Sequence, residues 1–276
     1  MVKEETMNQI AFDYSIRSEL PINSETPASI GAKFVDTLDA LTRVDPTAFT
    51  DWEVTDIPAM TSQPLAAARS RIADIVENNV SCDDFREPDP DYGYSAVAFS
   101  DVPVSRRIRL RIRTGGKFES TTSLQTGNWK VLPDPTIVTY PIFKGALLAI
   151  NATWPPLWAC AYAFKVDYYE VPLAHGAPLF PYSRFHIPWI AYLSAPLATR
   201  FVLPPPEITT ERTPDGGLLM IATEDRLDPT NPEHLRRARI LVEIMFTRTG
   251  HQPSPPPPPI RMPQASQPAG DTNPKS

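Results

Sequence analysis

The chain has 276 residues, 42% of them hydrophobic, which is enough to bury a sizeable core. Its formal charge of −6 hides a split: residues 1–101 carry 19 Asp/Glu against 7 Lys/Arg, and residues 102–276 carry 13 against 19. The asymmetry speaks of partners rather than of fold: it points to a basic partner and away from direct nucleic-acid binding.

From the N-terminus, residues 1–15 hold acids beside Lys3 and no apolar run, unlike a secretory signal or transit peptide. The first helix is expected over residues 27–41, with Thr26 as N-cap and Pro27 in the first turn. Ile30, Phe34, Leu38 and Leu41 recur at helical spacing on its buried face. Phe49, Trp52, Val54 and Ile57 are too irregular to assign. A second helix is expected over residues 64–79, burying Leu65, Ala68, Ile72, Ile75 and Val76. The period then changes to two. Residues 95–100 alternate weakly, while Ile108, Leu110 and Ile112 alternate with Arg107, Arg109, Arg111 and Arg113, as in a strand with one solvated face. Gly115 and Gly116 read as its turn, and residues 117–124 as the return strand.

Residues 137–164 form the most apolar stretch, with Lys144 its single charge. Asn151, Pro155 and Pro156 interrupt it before the roughly 20 residues a membrane span needs. It reads as a buried helix over residues 141–150 and then a strand. In that strand Trp158, Cys160, Tyr162, Phe164, Val166 and Tyr168 alternate with Ala159, Ala161 and Ala163, which suggests a helix lying closely on the alanine face. Residues 218–222 are another short strand. The last helix is capped by Asn231 or Thr230, buries Leu235, Ala238, Leu241, Val242 and Met245, and stops at Gly250. Nine of the 33 prolines fall in residues 251–276, a tail expected to be disordered or polyproline II. The fold class is therefore α+β, a mainly antiparallel sheet packed against several helices, with residues 1–250 as one domain.

Residues 82–91 hold five acids and one arginine. A calcium loop needs oxygen ligands at set spacing and a glycine at the bend, but prolines stand at alternate positions here. Either a solvated loop or a protein-binding acidic loop remains, the latter helped by two prolines that lower the entropy lost on docking. The arginine row lacks interleaved aromatics, so a solvated face paired with nearby acids is favoured over a nucleic-acid surface. Cys82 precedes two aspartates that disfavour its thiolate, and Cys160 reads as a core residue. With no CxxC or Cys/His cluster, the two cysteines suit a reduced, intracellular setting. No HExxH, GxSxG or glycine-rich phosphate loop occurs, so no catalytic residue, cofactor or metal site is expected. The alternatives are a cryptic hydrolase using His175 or His186, or a scaffold whose proline tail feeds a groove-binding domain.

Five stretches carry a resemblance: GAKFVDTLDAL (31–41), FTDW (49–52), EPDPDYGYS (87–95), PYSRFHIPWIAYLSAPLA (181–198) and NPEHLRRARILVEIM (231–245). With their order and spacing, residues 25–250 resemble the bacterial immunity protein 52 family. Arg86 departs from the pattern, standing where the resemblance leads one to expect glycine. The resemblance implies a non-enzymatic cytoplasmic antidote that binds a cognate toxin, with nuclease toxins as the family's partners. On this reading Asp83, Asp84, Glu87, Asp89 and Asp91 rim the partner-binding surface, and Tyr92 and Tyr94 anchor it.

Overall fold

The computed structural model describes residues 12–83, 85–127, 131–165, 186–199 and 204–248. In chain order, strand β1 (Phe12–Glu19) leads to helix α1 (Pro27–Val44) and the hairpin β2 (Trp52–Asp56) and β3 (Thr61–Pro64). Two short helices follow, α2 (Leu65–Ala68) and α3 (Ile72–Asn78), and then strands β4 (Tyr94–Ser100), β5 (Ile108–Thr114) and β6 (Thr121–Thr126). Helix α4 (Tyr140–Thr153), β7 (Trp158–Lys165), β8 (His186–Leu193), α5 (Ala195–Ala198), β9 (Thr209–Arg212), β10 (Leu218–Ile221) and α6 (Pro232–Arg248) complete the described chain.

These strands form one ten-stranded sheet in the order β3-β2-β4-β5-β6-β1-β7-β8-β10-β9, every described pair antiparallel. The α+β reading holds. β1, which periodicity did not find, lies inside the sheet between β6 and β7. Its buried polar side chains explain the miss: the Ser18 and Thr122 hydroxyls pair at 2.6 Å across the β1–β6 ladder. A hydrogen-bonded hydroxyl can be buried without the cost of an unpaired one, so the strand does not look apolar.

One face of the sheet is covered by α1, α3 and α4. The Thr26 hydroxyl accepts the Ser29 N–H at 3.3 Å to start α1, and Ile30, Phe34, Leu38 and Leu41 are fully buried. The helix expected over 64–79 is broken, because residues 69–71 tighten into a 3-10 turn and Arg71 leaves helical geometry at φ −117°. There the Arg69 guanidinium donates to both oxygens of Asp39 on α1, at 2.7 and 3.0 Å, so tertiary contacts override local propensity. From the sheet, Ile16, Ile108, Leu110, Ile112 and Leu124 meet these helices. Ala159, Ala161 and Ala163 are buried where α4 crosses β7, as their small size anticipated.

A bulge between Ala161 and Tyr162 shifts the β7–β8 register. It turns Trp189 onto the helix-covered face beside Ile190, its ring 5.3 Å from Phe143 and 6.0 Å from Tyr14, with its indole N–H donating to Thr223 O at 2.9 Å. On the opposite face α6 brings Leu241 and Ile244 against Cys160, Ala191, Leu193, Met220 and Ala222. Of the two caps considered, Asn231 is the one that accepts the Glu233 N–H, at 2.9 Å. Val166, Tyr168, His175, Gly250, the Met245 side chain and the tail over 251–276 lie outside the described residues.

Candidate partner-binding surface

Antiparallel order gathers the connections over residues 20–26, 57–60, 79–93 and 115–120 at one end of the sheet. Hydrogen bonds tie them together. Leu20 N–H donates to Ser120 O at 2.9 Å, and the buried Asn79 side chain accepts the Ile57 N–H at 2.6 Å while donating to Thr55 O at 2.9 Å.

The acidic loop is a built structure within this end. Val80 bridges Tyr94, Cys82 bridges Pro88, and Asp89 N–H donates to Ser81 O at 2.8 Å. Asp83 closes the tip, one oxygen accepting the N–H groups of Phe85 at 2.8 Å and Glu87 at 2.9 Å. Asp89 accepts the Asp91 N–H at 2.8 Å and starts the 3-10 turn Pro90–Tyr92. Arg86 adopts φ 69°, the left-handed region that glycine enters without cost, so an arginine fills the position where the resemblance expects glycine.

A second contact fastens the loop to the arginine hairpin. A Cβ on Gly116 would lie 2.6 Å from Gly93 N and 2.7 Å from Asp91 O, so the two backbones approach only because glycine lacks one. Lys117 adds an N–H bond to Asp91 O and an ammonium bond to the Asp91 carboxylate, both 2.7 Å; the latter holds Lys117 above its ordinary pKa.

The residues expected at the interface are thus not equivalent. Glu87 is exposed, Asp83 and Asp89 are half-buried with an oxygen engaged by backbone donors, and Asp91 is paired with Lys117. Asp84 lies outside the described residues. Tyr92 is half-buried with its ring 4.9 Å from Phe118, and Tyr94 packs against the main core. Sequence reasoning passed over exposed apolar side chains at this end, among them Met60, 90% exposed, Phe85, 86%, and Phe118, 63%. The signal was available, since Phe85 is an aromatic among five acids with no periodic apolar neighbours. Elsewhere, Asp39 is held below its ordinary pKa by hydrogen bonds from Arg69, and Asp45 caps the turn at Thr47 and Ala48.

The face of β5 that points away from the helices carries Arg109, Arg111 and Arg113, beside Arg17 of β1. The expected pairing with acids is partial. Glu119 meets Arg17 at 3.5 Å and Arg113 at 3.2 Å, while Arg111 donates to the Ser95 hydroxyl at 3.4 Å. Arg107 instead lies over the Phe99 ring, 5.5 Å from its centre. Between Arg17, Arg111 and Arg113 is a polar trough of about 230 Å³, with Tyr162, Ser123 and Gln125 in its lining.

Cys160 is buried, which pushes its thiol up to about 12, so it is no nucleophile at neutral pH. Among the described residues no group of three or more His, Cys, Asp or Glu is placed to hold a metal, and no helix is long and apolar enough to cross a membrane. His186 opens β8, its backbone paired with Phe164.

Residues 126–251 match the Immunity protein 52 family. The match covers 126 of the 276 residues, less than half of the chain. It contains the stretches at 181–198 and 231–245 that carried the resemblance, and the three earlier stretches lie outside it. No curated protein matches the sequence. Among solved structures, a Pseudomonas aeruginosa T6SS protein is similar over 87% of this chain and 75% of that one, at 12% identity and a TM-score of 0.46. The acidic loop and the arginine strand both precede the matched region.

Proposed function

We propose that this protein is the cytoplasmic antidote of a cognate toxin and neutralises it by stoichiometric binding, without turnover of its own. The observation that carries this reading is the Immunity protein 52 match over residues 126–251. The acidic loop and the exposed apolar side chains beside it supply a surface suited to the task. Apolar anchors contribute most of the affinity at such interfaces, and surrounding charge sets the association rate. On this reading the toxin is a basic nuclease. Nucleases bind phosphates through basic surfaces, and a carboxylate-rich loop competes for the same groups. Asp83, Asp84, Glu87, Asp89 and Asp91 form the rim, Tyr92 and Tyr94 are its aromatic anchors, and neither nucleic acid nor membrane is bound directly.

The test is to replace the five acids together by Asn or Gln. Asn at 83 and 89 keeps the side-chain oxygen that the backbone N–H groups need, so the loop should stay folded. Association with the toxin should slow by roughly tenfold or more at low salt and lose most of its salt dependence. Equal rates and equal salt slopes would remove the loop from the interface. No complex between the wild-type protein and the toxin would overturn the antidote reading itself.

A further inference from the structure

The open face of β5, β6 and β1 is more basic than its position requires. A solvated strand face needs only polar side chains, and this one carries Arg17, Arg109, Arg111 and Arg113, of which Glu119 pairs with two; of the other acids on this side of β1, Asp13 is buried and Glu19 accepts the Trp158 indole N–H. Glu119 projects from the connection between β5 and β6 and places one oxygen toward Arg17 and the other toward Arg113. The chain thereby shows which chemistry this face accepts: a carboxylate seated between guanidinium groups. Arg111 lies on the trough wall across Ser123 from Arg17, and no acid of the described residues is within ion-pair distance of it or of Arg109. Partial desolvation, then the charges of Arg109 and Arg113, lower the Arg111 pKa from its ordinary value against the opposing pull of Glu119, and a bound anion would offset the repulsion among the arginines.

We infer that this face is a carboxylate-binding surface that takes an acidic segment of the partner protein, with Arg109 and Arg111 receiving the side chains that Glu119 leaves unmatched. The inference rests on the antidote reading for its partner, the toxin. Arginines at alternate strand positions stand roughly 7 Å apart, the spacing of alternate side chains in an extended segment. Their planar forks bind carboxylates through two hydrogen bonds at once, which favours arginine over lysine at such a site. The acidic loop is attached to the end of the same hairpin, because the Gly93–Gly116 contact and the Asp91–Lys117 pair bind it to the turn after β5. The two surfaces have opposite sign, so a partner that covers both must carry a basic patch beside an acidic one, which fixes its orientation. Glu119 in the trough and the acidic loop beside it both repel a polyphosphate chain, which favours protein over nucleic acid.

The experiment titrates the full chain at low salt with a hexapeptide of alternating Glu and Thr, with the same peptide carrying Gln for Glu, with inorganic phosphate and with decathymidylate. Arginine Nε–Hε resonances report on the site. The Glu peptide should bind saturably, the Gln peptide should not, and R109Q/R111Q should weaken binding by at least roughly tenfold while leaving the melting temperature nearly unchanged. Arg111→Lys, which keeps the charge and loses the fork, should weaken it by an intermediate factor. No saturable shift, or equal binding by R109Q/R111Q, would overturn the proposal. Tighter binding of phosphate or decathymidylate than of the Glu peptide would overturn it in favour of a phosphate site. With the toxin itself, R109Q/R111Q should dissociate at least several-fold faster than wild type. An unchanged dissociation rate would overturn the arginine surface and leave the antidote reading standing. If wild-type protein fails to bind the toxin, the antidote reading falls, and the peptide titration still decides whether the face binds carboxylates.

Discussion

The two faces of β5 differ in what they ask of the same seven residues. Toward the helices, Ile108, Leu110 and Ile112 are fully buried in the main core. Away from them, Arg109 and Arg111 are exposed, and neither forms an ion pair with an acid of the described residues. The strand's period of two separates these demands cleanly. The covered face is constrained by packing volume, and the open face is free to carry charge for binding.

The sharpest way to break that distinction is to truncate one residue on each face. Leu110→Ala should cost about 2–5 kcal/mol, the range for a large core residue whose cavity cannot fully collapse. Arg109→Ala should stay within about 0.5 kcal/mol, as surface changes away from special contacts do. Urea unfolding of both variants measures the two values. A comparable loss for Arg109→Ala would show that the arginine face is also structural, and would remove the premise of the carboxylate-binding proposal.

Where each layer was legible in the sequence follows the same division. The capping by Thr26 and Pro27, the alternation of β5 and the alanines of β7 were readable because one physical demand dominated each segment. β1 was missed because Ser15 and Ser18 are buried as hydroxyls, and β8 because its bulge puts Trp189 and Ile190 on one side and breaks the alternation. The break between α2 and α3 depends on Arg69 reaching Asp39, thirty residues away. The acidic loop was visible as composition, but not as a stapled hairpin, since the contact that fixes it involves glycines whose role appears only when Gly93 and Gly116 meet. The arginine row was visible as well. Its shortage of acids was not, because pairing across strands depends on register.

A second, smaller effect tests a residue that fits neither side of the comparison. Asp13 alternates with Tyr14 and Ile16, so it points to the arginine side of β1, yet it is buried, and one of its carboxylate oxygens has no hydrogen-bond partner among the described residues. Burial raises its pKa from 3.8 to about 6. The folded state therefore holds this proton more tightly than the unfolded chain does. The stability it contributes is complete below about pH 4 and is lost as pH rises through 6. Asp13→Asn should accordingly be more stable than wild type at pH 8, by about 1–2 kcal/mol after allowance for local relaxation, and should lose that advantage at pH 4. Melting curves at the two pH values decide it. A variant that is less stable at pH 8 would show that the carboxylate is charged and paired, which would make the open face less electropositive than its arginines imply.

A small stability effect is also expected at Glu119, the carboxylate that pairs with Arg17 and Arg113. Its pairs with Arg17 and Arg113 are both partly exposed, so Glu119→Gln should change stability by less than about 1 kcal/mol. Its effect on binding should have the opposite sign. Removing a competing carboxylate frees Arg17 and Arg113, so the alternating Glu peptide should bind roughly two- to fivefold more tightly to the variant, the equivalent of an exposed ion pair. Thermal melts and the same peptide titration separate the possibilities. A large loss of stability would make Glu119 the structural counterion of a self-neutralised face, whereas weaker peptide binding with unchanged stability would mean that Glu119 holds the arginine forks in position. Tighter binding at nearly constant stability is the result that distinguishes a surface awaiting carboxylates from one that is already satisfied.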